Sequence, residues 1–270
     1  MEGIGESMFQ RLSEFRFLFE ELTKRDFRKK YKRTMLGMMW SVLNPLLTLL
    51  IMRVVFTQFF GATIPHYTTY LFAGNLVYSY FTEATNSGMY ALVSNKDIFS
   101  KVNLPKFMFV LSANASAFIN FMLTTCVFFV FAAFDGIVFT WSSVLLVIPI
   151  IFLLGFNIGV SMILSAINLF FQDTKYLYGI FTMLLMYLSA IFYQVESFPL
   201  AYQRLFLANP VYVYIKFVRV LVIDGHAPSI EFFLLAMVYA LAVNLIGAAI
   251  YKKHNNRFLY YVRKNDCDDE

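Results

Sequence analysis

The residues of this chain that can do chemistry are few, and those that stand out are polar groups set among apolar ones. Glu83 lies inside a long apolar stretch, and Asn75, Ser79, Thr82, Asn86 and Tyr90 share its helical face by their spacing. A carboxylate at mid-bilayer costs roughly 2.5–3.5 kcal/mol on insertion scales, so this face must avoid lipid. It either lines a cavity or packs against another helix or subunit, because Ser, Thr and Asn also hydrogen-bond helix to helix. A second concentration is cationic: Lys24, Arg25, Arg28, Lys29, Lys30, Lys32 and Arg33 crowd into one short run. A third spans Ser94 to Lys106, where Ile98, Phe99 and Val102 offer an apolar edge among Lys96, Lys101 and Lys106. A cytoplasmic partner can grip such a stretch, or it can simply cap a helix.

Familiar catalytic arrangements are missing. There is no Gly-x-x-x-x-Gly-Lys-Ser/Thr phosphate loop, so the chain does not hydrolyse ATP by that machinery. Neither a Gly-x-Ser-x-Gly elbow nor a His-Glu-x-x-His helix occurs. His66, His226 and His254 are too scattered to collect a metal, and Cys126 and Cys267 are placed too differently to bridge. Asp266-Cys267-Asp268 has the form of a metal–sugar Asp-x-Asp, but it sits in the polar tail with no domain around it.

The elements that position these groups follow from composition. Hydrophobic residues make up 59% of the 270, charged residues 14%, and mean hydropathy is +0.63. Soluble chains run about 45–50% apolar and about 25% charged, so this is an integral membrane protein with no role for nucleic acid. Six segments have the roughly 20 apolar residues that a span requires: 36–60, 69–93, 108–134, 143–170, 177–195 and 231–251. Apart from Glu231 at the very start of the last, Arg53 and Glu83 are the charges inside them, and by rise along the helix the two would pair only with tilt or across two chains. Lys and Arg number nine in 1–35, three in 94–107, one in 171–176 and five after 251, whereas 61–68 and 135–142 carry none and 196–230 carries three. The positive-inside rule then puts both termini in the cytoplasm.

The flanking segments have their own patterns. Met8, Leu12, Phe15, Phe19 and Leu22 recur at steps of three or four, opposite Arg11, Glu14, Glu21 and Lys24. With the basic run behind them they read as an amphipathic helix in the membrane interface, held by apolar burial and anionic headgroups. The 196–230 link is too apolar for an ordinary loop, and Asn209-Pro210 divides it into pieces too short to span. Two short re-entrant helices fit this pattern, as does a loop lying on the membrane surface. The expected fold is thus all-α: one transmembrane domain over 1–270, with a cytoplasmic interface segment 1–34, a six-helix membrane domain 35–251 and a cytoplasmic tail 252–270.

Against that background several motifs are recognisable. Arg25-Asp26, Tyr31, Thr34, Leu36-Gly37, Trp40 and Asn44-Pro45-Leu46 resemble the opening of the transmembrane subunit of type-2 ABC exporters for polysaccharides, the group handling O-antigen, capsule and teichoic acid. Ile98 to Pro105 resembles that family's link between spans two and three, and Phe192-Tyr193 through Asn209-Pro210 its segment before the last span. The resemblance implies a permease of the bacterial cytoplasmic membrane, working as a homodimer with two copies of a cytoplasmic ABC ATPase. ATP and magnesium would sit on that partner, with no cofactor in this chain. The cargo would be a glycan on an undecaprenyl diphosphate carrier.

Residue roles follow from the same resemblance. Asn95, Lys96, Ile98, Phe99, Lys101, Val102, Leu104 and Pro105 would form the coupling segment that seats in the ATPase. Arg25, Arg28 and Arg33 would hold the diphosphate at the entrance, because guanidinium meets phosphate oxygens in a bidentate manner. Tyr78, Ser79, Phe81, Glu83, Asn86, Tyr90, Tyr187 and Tyr193 would line the channel, where aromatic faces stack on sugar rings; packing is the competing role for each aromatic. Export of a drug or small lipid, a membrane-embedded glycosyl- or acyltransferase and an ATP-independent channel are the alternative readings.

Overall fold

The computed structural model describes the backbone of residues 2–32, 36–60, 64–101 and 104–268; side chains of residues 2–14, 31, 57–60, 99–101, 255–256 and 259–268 lie outside the description. Arg33, Val102 and the side chains of Met8, Leu12, Phe99 and Lys101 therefore fall outside it. Ten α-helices succeed one another, with no strand among the described residues. They are α1 (Glu2–Tyr31), α2 (Trp40–Phe60), α3 (Tyr67–Tyr90), α4 (Lys96–Lys101), α5 (Phe107–Phe134), α6 (Val147–Phe170), α7 (Thr174–Leu188), α8 (Leu200–Phe206), α9 (Pro210–Val222) and α10 (Ile230–Asp268).

Four helical segments are long and apolar enough to cross a membrane: Gly37–Phe56, Phe107–Phe134, Trp141–Phe170 and Ile230–His254. The pair α8 and α9, bent by 104° at Asn209, makes a fifth if it counts as one span. Two of the six expected spans fall short for separate reasons. Helix α3 has 24 residues but is too polar, and α7 has only 15 where the sequence predicts 177–195. Helix α7 stops because Ala190 turns left-handed at φ 51° and its carbonyl oxygen, with that of Ile191, bonds a side chain instead of the helix.

That side chain is Arg219 of α9. Its Nη1 donates to the carbonyl oxygen of Ala190 at 2.9 Å, Nη2 to that of Ile191 at 2.9 Å, and Nε and Nη2 to that of Tyr70 at 3.3 and 3.2 Å. The guanidinium also lies 3.4 Å from the Tyr70 ring centroid. One planar fork thus ties α9, α3 and the end of α7 together, a task for which a lysine lacks the donors. The hydroxyls of Tyr67 and Tyr70 complete the joint by donating to the carbonyls of Phe192 and Tyr193 at 3.0 and 2.8 Å.

The core follows from this joint. Helix α9 is buried almost throughout, with Tyr214, Phe217 and Leu221 fully enclosed and the Tyr214 hydroxyl donating to the Ala236 carbonyl at 2.8 Å. Asn209 caps it by accepting from the Val211 amide at 3.0 Å, and Pro210 opens its first turn, where the missing N–H is no loss. Helices α6 and α10 form the most extensive pair, and their backbones meet at Gly159, where an added Cβ would fall 2.7 Å from the Asn244 nitrogen. Short helix α4 and the start of α5 close the end of the bundle that carries the termini, over a cluster of Leu22, Leu92, Phe109 and Phe258.

Replacing Arg219 by Met leaves the Tyr70, Ala190 and Ile191 carbonyls unmet inside protein, at about 1–3 kcal/mol for each acceptor stranded. The variant should melt several degrees lower in detergent. Gly74→Ala should do the same with the arginine intact, because its Cβ would lie 2.7 Å from Nη2. Unchanged melting of both variants would show that the fork carries no load.

Candidate functional site

Helix α1 is fastened to the bundle by one face. Leu18 and Leu22 meet the apolar cluster, and one and two turns on the contacts become polar. Arg25 Nη2 donates to Asn95 Oδ1 at 2.7 Å and to its neighbour Asp26 at 2.7 Å; Asp26 also accepts from Ser112 Oγ at 3.0 Å. Lys30 Nζ donates to Glu83 Oε1 at 2.6 Å. Of the apolar stripe read from the sequence, Leu22 is buried, Phe19 half-buried and Phe15 exposed, and Leu18 beside them joins the packed face. Glu83 receives a second bond from Asn120 Nδ2 at 2.7 Å, which places Lys30 and Asn120 where Arg53 was considered.

Around Glu83 opens a cavity of about 490 Å³. Its polar walls are Ser41, Asn44 and Thr48 of α2, Asn75 and Ser79 of α3, and Asn120 and Thr124 of α5, set among Pro45 and Leu76 with Trp40, Tyr80 and Phe121 as aromatic members. A second hollow of about 350 Å³ shares Lys30 and Glu83 and continues along α3 past Ser87 and Tyr90 to Ser94 and Asn95. From Asn75 to Tyr90 this track follows α3 for about 22 Å at 1.5 Å per residue, and it continues past the end of the helix to Ser94 and Asn95, most of the hydrocarbon thickness of a bilayer. The arrangement can exchange hydrogen bonds along a hydroxyl-bearing chain. Among the described residues no group of three or more His, Cys, Asp and Glu can hold a metal.

The expected channel residues separate into four groups. Ser79, Glu83 and Tyr90 line the track. Thr82 and Asn86 bond back to their own helix, the Asn86 amide reaching the Thr82 carbonyl at 2.8 Å. Tyr78 turns toward α7 and donates to the Thr182 carbonyl at 2.7 Å, while Phe81 is buried and stacks on Phe156 with centroids 6.0 Å apart. Tyr187 is exposed on α7, and Tyr193 donates to the Tyr187 carbonyl at 2.8 Å near the end of the bundle away from the termini. Sequence reading missed Lys30 as the partner of Glu83, and Asn44, Ser87, Asn120 and Thr124 as walls. Asn120, an amide within an apolar run four residues before Thr124, was the available signal.

The expected coupling segment sits at the terminal end. Asn95 is buried, its amide donating to the Ala91 carbonyl at 2.7 Å while its oxygen accepts from Arg25. Ile98 and Leu104 pack inward against the cluster under α1 and α10, so the apolar edge is partly turned into the protein. Lys96 and Pro105 are half-buried. Burial holds the ammonium of nearby Lys106 below the ordinary lysine range. Of the expected entrance cations, Arg25 is engaged with Asp26 and Asn95, whereas Arg28 is exposed and lines a broad hollow of about 960 Å³ with Lys24, Lys29 and Lys32.

Comparison with known proteins gives this geometry a context. The chain matches the family model described as ABC-2 type transporter over residues 18–223. It is similar to an O-antigen export system permease protein RfbA of Klebsiella pneumoniae, 28% identical over 249 residues that cover 90% of this chain and 95% of the relative. A protein of the same name from Myxococcus xanthus is 26% identical over 190 residues, covering 70% and 73%. The polysialic acid transport protein KpsM of Escherichia coli is 22% identical over 253 residues, covering 89% and 94%.

The Lys30–Glu83 pair is partly open to solvent, at 43% and 31% side-chain exposure. A double-mutant cycle with Lys30→Met and Glu83→Gln should therefore give a stability coupling of about 1 kcal/mol or less, shrinking as salt is raised. A coupling that is zero at low salt would mean the pair does not form in solution.

Proposed function

The chain belongs to the ABC-2 type transporter family, and from that premise we propose that it is the permease subunit of an ATP-driven exporter of a lipid-linked surface polysaccharide. One observation carries the reading: the track bearing amides and hydroxyls among apolar side chains that follows α3 past Glu83 through most of the depth of a bilayer's hydrocarbon. A hydrated polymer needs such a surface, since each hydroxyl leaving water must find a partner on the way. The names of the relatives, which handle O-antigen and polysialic acid, agree in cargo class.

In this reading the chain threads the bacterial cytoplasmic membrane six times, with α3 and α7 as the polar and the short span and both termini cytoplasmic. Helix α1 lies at the cytoplasmic interface, and α8 and α9 dip in from outside and return. Two copies of the chain enclose the route, so that the track of each faces the other and not lipid. Two ABC ATPases, carrying ATP and magnesium, grip the segment of Asn95, Lys96, Ile98, Phe99, Lys101, Val102, Leu104 and Pro105. The undecaprenyl diphosphate is received by the basic hollow, where Arg28 is the free guanidinium, Arg33 belongs to the same run and Arg25 acts through Asn95. The channel wall is Ser79, Glu83 and Tyr90, with Asn86 beside them and Tyr187 and Tyr193 at the exit. Tyr78 and Phe81 support the wall from behind.

The test is ATP-dependent appearance of glycan outside vesicles that contain the permease, its ATPase and a lipid-linked glycan. Export should require both proteins, and Glu83→Ala should slow it by at least about tenfold, equivalent to about 1.4 kcal/mol on the barrier. Arg28→Gln should weaken the dependence on donor concentration more than the maximal rate. Vesicles that release glycan without ATP, or a complex that moves drugs and no glycan, would overturn the proposal.

A further inference from the structure

A separate cavity of about 220 Å³ lies at the end of the bundle away from the termini, between the start of α3, the segment after α7 and the last turns of α9. Two carboxylates and two cations face it: Glu196, Asp224, Lys216 and Arg219. Glu196 and Lys216 pair at 2.9 Å, and Arg219 spends its donors on carbonyl oxygens. Burial pushes the Glu196 carboxyl up, but the Lys216 hydrogen bond and the neighbouring charges outweigh it and hold the group below its ordinary value. What remains without a hydrogen-bond partner among the described residues is the Tyr212 hydroxyl, the Gln194 amide and the Asp224 carboxylate.

That remainder specifies a ligand. The facing charges balance, so an anion meets Glu196 and Asp224 and a cation meets Lys216 and Arg219; a neutral molecule is favoured over either. A phenol, an amide and a carboxylate together offer donors and acceptors in the mixture that adjacent hydroxyl groups require, because each hydroxyl both gives and accepts. The volume lies below the roughly 300–1,000 Å³ of drug-sized pockets and suits a single ring. Ile223 supplies an apolar wall for the C–H face of such a ring.

We propose that this cavity is a subsite for one neutral, hydroxyl-rich sugar ring, distinct from the track along α3 and placed where a growing or sliding glycan leaves the protein. The inference rests on the polysaccharide reading and on the orientation that puts this end outside. The subsite gives the emerging chain a resting contact, weak enough to release and specific enough to favour one ring type. Its position on α9, beside the Arg219 fork, makes its occupancy sensitive to how α9 meets α3.

The test uses the full transporter with its ATPase in the cell that makes the polymer, with p-benzoylphenylalanine in place of Val220, an apolar member of the cavity wall. Illumination should yield a ladder of permease products bearing the native polymer. Adding Asp224→Asn should cut the ladder about fivefold, the worth of one hydrogen bond. The same photoreactive group in place of exposed Val238 on α10 should capture no polymer. Intact export with no ladder from position 220, or a cross-link to phospholipid, phosphate-bearing metabolite or protein in place of glycan, overturns the subsite and leaves the exporter reading standing. A ladder unaffected by Asp224→Asn overturns the assigned recognition. Absence of ATP-dependent export from the unmodified complex strikes the functional reading itself and removes the subsite with it.

Discussion

Within a bilayer no polar group can borrow water, and the arrangement of this chain follows from where each one finds a partner instead. Two charges show the alternatives. Arg219 is buried, makes no ion pair among the described residues, and is satisfied by the carbonyl oxygens of a broken helix end and of Tyr70. Glu83 is satisfied only in part, by Lys30 and Asn120, and keeps one side toward a cavity. The first solution fixes the architecture, because the break after α7 and the buried course of α9 exist only while the fork is filled. The second leaves polar capacity free for something that passes.

The polar contacts of α1 join two further regions, the short segment before α4 and the cavity wall. Arg25 reaches Asn95 just ahead of α4, and Lys30, less than two turns later, reaches Glu83 in the wall. Between them Asp26 accepts from Ser112 of α5, so one side of α1 is held to three parts of the bundle. The Lys30–Glu83 and Arg25–Asp26 pairs are both partly open to solvent, which screens their attraction.

Much of this was legible beforehand, and the failures have definite causes. Apolar length located α2, α5, α6 and α10, and the Asn209-Pro210 break was found because proline and its predecessor cannot continue a helix. The stop of α7 at Leu188 was not readable, since it depends on an arginine 31 positions later taking the carbonyls. Helix periodicity put Asn75, Ser79 and Glu83 on one face correctly, but spacing alone does not reveal which neighbour a face meets. Thus Lys30 and Asn120, remote in sequence, were missed as partners of Glu83. Spacing also does not show that Leu18, half-buried against the cluster of Leu22, Phe109 and Phe258, packs while Phe15 stays exposed.

The aromatic content argues further about how a cargo is handled. A chain with 32 Phe and 17 Tyr invites the idea of an aromatic wall, yet most of the rings are occupied with one another. Phe72 meets Phe128 edge-on at 5.4 Å, Tyr80 stacks on Phe121 at 4.3 Å and Phe217 meets Phe233 at 4.6 Å, all within the core. Helices in lipid gain no hydrophobic attraction for each other, so shape-matched rings supply the packing that holds them. The surface left for a passing molecule then mixes amides and hydroxyls with apolar side chains, and its rings are Trp40, Tyr80, Tyr90, Phe109 and Phe121. Such a wall grips by hydrogen bonds that are exchanged one for another at each step, which keeps the net cost of advancing small. A wall of rings alone would have left every hydroxyl of a glycan unpaired.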